Sequence, residues 1–329
     1  MTAMGCHSRS SQLETAHMPN TPRQAYERLL AAVKALPPTP TAVAHPCDKS
    51  ALSGAVQAAR MGIIAPIFVG PKQRILAAAE AAQLDIAAFE IVNTEHSHQS
   101  AEQAVRLVRE GRAEMLMKGS LSTDELLGAV VQRDTGLRTA RRLSHCFVMD
   151  VPEHSNVLII TDAAINVFPT LQDKVDIVQN AIELAHALRI DTPKVAILSA
   201  MESVNPKLQS TVEAAALCKM ADRGQITGGV LDGPLALDNA ISPEAAQIKK
   251  IGGPVAGQAD ILVVPDLEVG NVLAKSLSFL INADSAGIVL GARVPIVLTS
   301  RADSVHARLA SAAVGALLAN RRRDAAKVA

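Results

Sequence analysis

Along most of the chain, short apolar runs ended by turn residues alternate with longer stretches in which apolar side chains recur at a helical period. The runs at 41–44, 63–70, 114–118, 194–198, 228–231, 261–264, 287–290 and 296–299 read as strands. Several are apolar nearly throughout, as strands buried on both faces must be. Between them, the segment 171–188 sets Val175, Val178, Ile182 and Ala185 on one helical face. Strand and helix in turn is the rhythm of βαβ units. The pattern therefore predicts an α/β fold in three layers, α/β/α, with mostly parallel sheets.

Local signals place the element ends. A helix is expected near Pro22 to Leu36, and Asp48 is a suitable cap for another reaching Met61. Pro71 would open the next helix at its first position, where a missing N–H costs nothing. After a short strand at 90–92 and a helix at 99–110, Ser122 and Glu125 have capping-box spacing, which opens a helix through Val131. Further helices fall at 208–220, 270–281 and 304–318. Two stretches depart from strict alternation. The basic segment DTGLRTARRL (134–143) reads as a loop that crosses between domains or edges a cleft, and the close strands 145–150 and 157–161 suggest an antiparallel pair at a domain junction.

At 329 residues the chain exceeds one ordinary hydrophobic core, so two domains are expected, with a single large α/β domain the alternative. One Tyr and no Trp leave the core to aliphatic side chains and argue against stacking platforms for single-stranded nucleic acid. Lys plus Arg (32) equals Asp plus Glu (32), so no global field attracts a polyanion and any anionic ligand must be held by a local site. Cys6, Cys47, Cys146 and Cys218 lie far apart without C-x-x-C spacing; reduced cytoplasmic thiols, with Cys146 and Cys218 as small core residues, are the simpler reading. His96 and His98 lack further spaced ligands, and no metal site is expected. The first residues are polar and read as a disordered extension, the RRRDAAKVA end as a frayed helix terminus, and no apolar run approaches the ~20 residues that span a bilayer.

Four polar clusters follow strands, where open α/β sheets gather their ligand loops. Lys118-Gly119-Ser120 joins a cation, a glycine that permits close backbone approach and a new helix start, which suits an anion, although no Walker A motif is present. Asp162 and Asn166 stand four apart and line a pocket if a helical turn begins there; Asp162 as a plain cap is the alternative. Asp266, Glu268, Gly270 and Asn271 sit between a buried strand and a helix start. Ser300, Arg301, Asp303 and Ser304 place a hydroxyl and a guanidinium side by side at a strand end, with Asp303 or Ser304 available as helix cap. There is no G-x-S-x-G elbow for a serine hydrolase and no G-x-G-x-x-G after a strand for a dinucleotide.

In this order, LMKGSLSTDELLGAVV, TGLRTARRLSH, LIITDAAIN, VAILSAMESVNPKLQST, GQITGGVLDGPLALDNAIS, PVAGQADILVVPDLEVGNVLAK and VPIVLTSRADS resemble the phosphate acetyltransferase and butyryltransferase family, most closely the transferase half of fusions with an enoyl-CoA hydratase. The resemblance spans about Val43 to Ala319. It implies a two-domain fold like that of isocitrate and isopropylmalate dehydrogenases with an interdomain cleft, a homodimer, and no metal or organic cofactor. On this reading residues 1–21 are the disordered extension, 22–150 with 295–329 form the first domain, and 151–294 form the second. The implied reaction is acyl-CoA plus phosphate to acyl phosphate plus CoA. Ser300 would hydrogen-bond the reacting acyl group or its oxyanion, Arg301 would hold phosphate, and Lys118, Gly119, Asp162, Asn166, Asp266, Gly270 and Asn271 would line the cleft.

Two positions depart from acetyl-transferring members. Ala307 stands where they carry an aspartate proposed to take the thiol proton, and Phe279 stands near where they carry an arginine. Asp303 and His306 are the substitute bases on offer. These departures leave a second expectation open, an acyl-CoA-binding regulatory module that has lost catalysis.

Overall fold

The computed structural model describes residues 24–152, 154, 156–299 and 303–328; the expected extension at 1–21 lies outside them. The first part of the chain runs α1 (Gln24–Lys34), β1 (Thr39–Ala44), α2 (Lys49–Arg60), β2 (Ile64–Gly70), α3 (Lys72–Ala81), β3 (Glu90–Asn93), α4 (Ser97–Arg109), β4 (Met115–Lys118) and α5 (Thr123–Val130). The antiparallel pair β5 (Ser144–Asp150) and β6 (Leu158–Thr161) follows, as the close spacing predicts. Then come α6 (Leu171–Ala187), β7 (Lys194–Leu198), α7 (Gln209–Asp222), β8 (Val230–Leu235), α8 (Leu237–Ile241), α9 (Pro243–Ile248), β9 (Ile261–Val263) and α10 (Leu267–Leu280). The chain ends through β10 (Asp284–Leu290), β11 (Ile296–Val297) and α11 (Val305–Val328).

All these strands join one 11-stranded sheet in the order β3-β2-β1-β4-β11-β10-β5-β6-β9-β7-β8. Two parallel blocks, β3-β2-β1-β4-β11 and β6-β9-β7-β8, flank β10 and β5. The three junctions β11-β10, β10-β5 and β5-β6 are antiparallel. Three reversals make the two blocks run in opposite directions. Carboxyl ends of β4 and β11 thus emerge at one rim of the sheet and those of β6 and β9 at the other, rather than at the single rim of a simple open sheet.

Side-chain alternation sorts the strands onto two faces. On one, Val43, Met117, Cys146, Ile159, Ile197, Ile288 and Val297 join a core shared with α1, α2, α6, α7 and α11 across both blocks. On the other, packing is split. Leu116, Val289, Ile296 and Leu298 pack with α4 and α5, whereas Met149, Ile160, Leu198 and Leu262 pack with the α8–α10 layer. The seam between these patches crosses β10 and β5, where a cleft between two halves would have to lie.

Capping chemistry explains most helix starts. Asp48 accepts from Ala51 N at 2.8 Å, and Ser122 with Glu125 forms the expected capping box. A second box, Thr170 with Asp173, opens α6. Three ends differ from expectation. Pro71 occupies the cap position rather than the first turn of α3. Helix α10 begins at Leu267, not Gly270, because the Asp266 carboxylate accepts from Val269 N at 3.0 Å and starts it earlier. The terminal segment is not a frayed end: α11 continues to Val328, with Arg322 paired to Glu183 at 2.7 Å and Arg323 paired to Glu114. Cys146 is buried as expected, whereas Cys218 is only partly so.

Candidate active site

At the first rim, β4 delivers Lys118, which is 6% exposed and whose Nζ donates to the Leu121 carbonyl at 3.1 Å. Gly119 is required by close approach. Its N–H bonds Ala44 O at 2.8 Å, and a Cβ there would stand 2.3 Å from that oxygen. Strand β11 pairs with β4 at Val297–Met117, so Leu298 and Thr299 run beside Lys118 and Gly119. Ser300 and Arg301, the expected catalytic pair, lie outside the described residues; the chain resumes at Asp303, which is partly exposed. Ser304 is the cap of α11, accepting from Ala307 N at 3.1 Å. His306 turns away, its ring 3.6 Å from that of Tyr26 and its Nε2 3.7 Å from Asp284, under α1.

Beside Gly119 opens a cavity of about 420 Å³ lined by His45, Arg74, Ser97, Ser120, Ser122 and Glu125. The Ser97 hydroxyl, then the Ser122 N–H, hold the Glu125 carboxyl down at about 2, so it is ionised. Burial pushes the neighbouring Cys47 thiol up to about 11, which makes it a poor nucleophile. His96 caps α4, and His98, in its first turn, pairs with Glu125 at 3.3 Å, so the two histidines serve the helix ends. Lys118 and Arg74, both among the described residues of this rim, together with the starts of α2, α4 and α5 favour an anion.

At the second rim, Asp162, Asn166, Gly270 and Asn271 come together. The buried Asp162 carboxylate accepts from the N–H groups of Ala164 (2.9 Å), Ile165 (3.1 Å) and Asn166 (3.2 Å), and from Asn166 Nδ2. Asn166 also donates to Leu143 O at 2.9 Å and accepts from Arg142 Nε. The pair thus ties the loop after β6 to the entry of β5. A Cβ on Gly270 would lie 2.8 Å from Asp162 O, so this glycine lets α10 approach the loop, and Asn271 Nδ2 donates to Ala163 O at 3.3 Å. Asp266 faces a separate cavity of about 890 Å³, whose lining includes Phe168, Leu198, Ser210, Glu213 and Val272.

Ile165, next to Asp162, packs with the patch that contains Leu121, Leu143 and Leu298. The second-rim loop therefore reaches across the seam toward the first block. On the seam itself stands His145, buried, with Nδ1 lacking a hydrogen-bond partner among the described residues. Burial lowers its pKa to about 4, against a smaller opposing pull from Asp162, so the ring is neutral at pH 7. Its ring closes on Gly287, where a Cβ would meet Leu298 O at 2.8 Å and His145 Nε2 at 3.1 Å.

Sequence reasoning passed over three side chains here. Arg142 was visible only as part of a basic loop, yet it binds Asn166 and pairs with Asp173 at 3.1 Å. His145 falls within the strand expected at 145–150, and Arg308, which no motif singles out within the helix expected at 304–318, is 7% exposed. A buried position on a helix of otherwise small apolar residues, ARLASAAVGALLA, was the one signal that marked Arg308.

A family model described as Phosphate acetyl/butaryl transferase matches residues 97–316. A phosphate acetyltransferase of Rhizobium meliloti is 64% identical over 300 residues, covering 91% of this chain and 95% of the relative. A phosphate butyryltransferase of Clostridium beijerinckii is 43% identical over 298 residues, covering 91% and 99%. The crystal structure of a branched-chain phosphotransacylase from Enterococcus faecalis V583 matches with a TM-score of 0.75 at 32% identity, over 85% of this chain and 98% of that one. With the ordered motifs, the mostly parallel sheet and these likenesses in agreement, the chain belongs to the phosphate acetyl- and butyryltransferase family.

Proposed function

We propose that this protein is a CoA-dependent phosphate acyltransferase that interconverts a short-chain acyl-CoA and phosphate with acyl phosphate and free CoA. The observation that carries this reading is the full-length agreement with relatives named as acetyl- and butyryl-transferring enzymes. In the forward direction a phosphate oxygen attacks the thioester carbonyl carbon, an oxyanion forms, the C–S bond breaks, and the CoA thiolate leaves to be protonated. Ser300 stabilises the oxyanion by hydrogen bonding and Arg301 grips phosphate through its planar fork. Buried Lys118, on the strand beside β11, adds positive charge in surroundings where water screens little.

The seam between the two packing patches is the cleft of this reading, with the rim residues Gly119, Asp162, Asn166, Gly270 and Asn271 shaping its walls rather than reacting, whereas Asp266 caps α10 beside the separate cavity. Asp303, near the α11 start, is the base candidate that remains once His306 turns toward Tyr26. A thiol of pKa ~8.5 needs only modest help near neutral pH. A thioester is already activated, so two cations and a hydroxyl suffice and no resident metal or organic cofactor is invoked.

The protein works as a homodimer in the cytoplasm on this reading. Val269, Val272, Phe279 and Leu280 expose an apolar stripe along α10, continued by Phe168. A stripe of this kind suits a symmetric partner surface. Among the described residues no helix is long and apolar enough to cross a membrane. The test is free-thiol release from acetyl-, butyryl- and 3-hydroxybutyryl-CoA with and without phosphate. Release that requires phosphate, persists in EDTA and is lost in Ser300→Ala is the expected result; binding of acyl-CoA without turnover would instead favour a regulatory module.

A further inference from the structure

Arg308, in the first turns of α11, is buried within the helical layer behind the sheet. A guanidinium kept from water is costly unless it has partners that repay the lost hydration. Here Nη1 donates to Thr299 Oγ1 at 2.8 Å, and Thr299 is itself buried. The stem of the arginine is accommodated by a glycine on α2: a Cβ on Gly54 would stand 3.0 Å from Arg308 Cδ. Val297 belongs to the shared core face and Leu298 to the split face, so alternation turns Thr299 back toward α11 and α2. Thr299 immediately precedes Ser300 in the chain.

We propose that Arg308 is a positioning residue for the acyl transfer, acting through Thr299 to fix the point from which Ser300 and Arg301 depart. The proposal rests on the reading of Ser300 and Arg301 given above. Arg308 touches no reacting atom. It pins the strand end from the side of the sheet opposite the seam, and a loss of that pin displaces the reactive groups, an error that costs on the order of 100-fold in rate for a shift of about 1 Å.

A double-mutant cycle on kcat and KM tests this, with thermal unfolding recorded for each variant. Thr299→Val keeps the shape and removes the acceptor; Arg308→Met keeps the stem and removes the donors; Arg308→Lys keeps one donor. Thr299→Val and Arg308→Met are each expected to lower kcat by about 10- to 100-fold with little change in KM for CoA. The double variant should be no worse than the weaker single one, and Arg308→Lys should recover part of the loss. If kcat is unchanged while only the melting temperature falls, or if the two losses multiply, Arg308 is a structural tie and the proposal fails. Ser300→Ala run alongside separates the two claims: full activity there would overturn the catalytic reading itself, whereas inactivity there with unaltered Thr299→Val and Arg308→Met would overturn this proposal alone.

Discussion

At Gly119 the backbone of β4 comes so close to β1 that a methyl group would sit 2.3 Å from Ala44 O. Gly119→Ala must therefore push two strand ends apart, and we expect a loss of about 3 kcal/mol in denaturant unfolding, the upper part of the range for overpacking. Behaviour like wild type would show that the rim is slacker than its geometry. At His145 the cost is electrostatic. Its folded pKa of about 4 lies below the ordinary 6.5, so between these values the unfolded chain binds a proton that the folded chain does not. Stability should fall as pH drops from 6.5 toward 4. Buried His45, lowered by burial and by Arg74, acts in the same sense. His145→Gln should flatten the dependence without abolishing it, and an unchanged slope in urea titrations at pH 7 and pH 5 would place the acid sensitivity elsewhere.

Element identity was legible where local chemistry decides it. The Ser122–Glu125 box, the Asp48 cap and the apolar face of α6 were all readable, because each depends on residues within a few positions. Ends set by distant partners were not. The long run of α11 is secured by Arg322 and Arg323 reaching Glu183 and Glu114, far away in sequence. On α10 the expected start at Gly270 comes too late because Asp266, placed by sequence among the cleft residues, caps the helix instead. The same helix carries a testable consequence. Phe279 is 76% exposed within an apolar stripe, so Phe279→Asp should convert a dimer to monomer in sedimentation experiments while leaving the fold intact. A wild-type protein that sediments as a monomer would show that the stripe does not mediate a dimer.

For the whole molecule, alternation of strands and helices announced the fold class, and the antiparallel pair β5-β6 was visible from its short connection. What alternation cannot show is direction. Reversals at β10 and β5 send the two blocks opposite ways, so clusters that all follow strands in sequence emerge at two rims in space. Lys118 and Gly119 accordingly lie with Thr299, whereas Asp162, Asn166, Gly270 and Asn271 form the other group, whose bonds hold loops together. As a whole, this molecule joins phosphate to an acyl group taken from CoA. Phosphorus NMR of inorganic phosphate incubated with butyryl-CoA and the purified protein follows that bond directly. An acyl phosphate resonance should grow in step with free thiol and be absent with Ser300→Ala; thiol released with no acyl phosphate formed, the signature of hydrolysis, would contradict acyl transfer to phosphate.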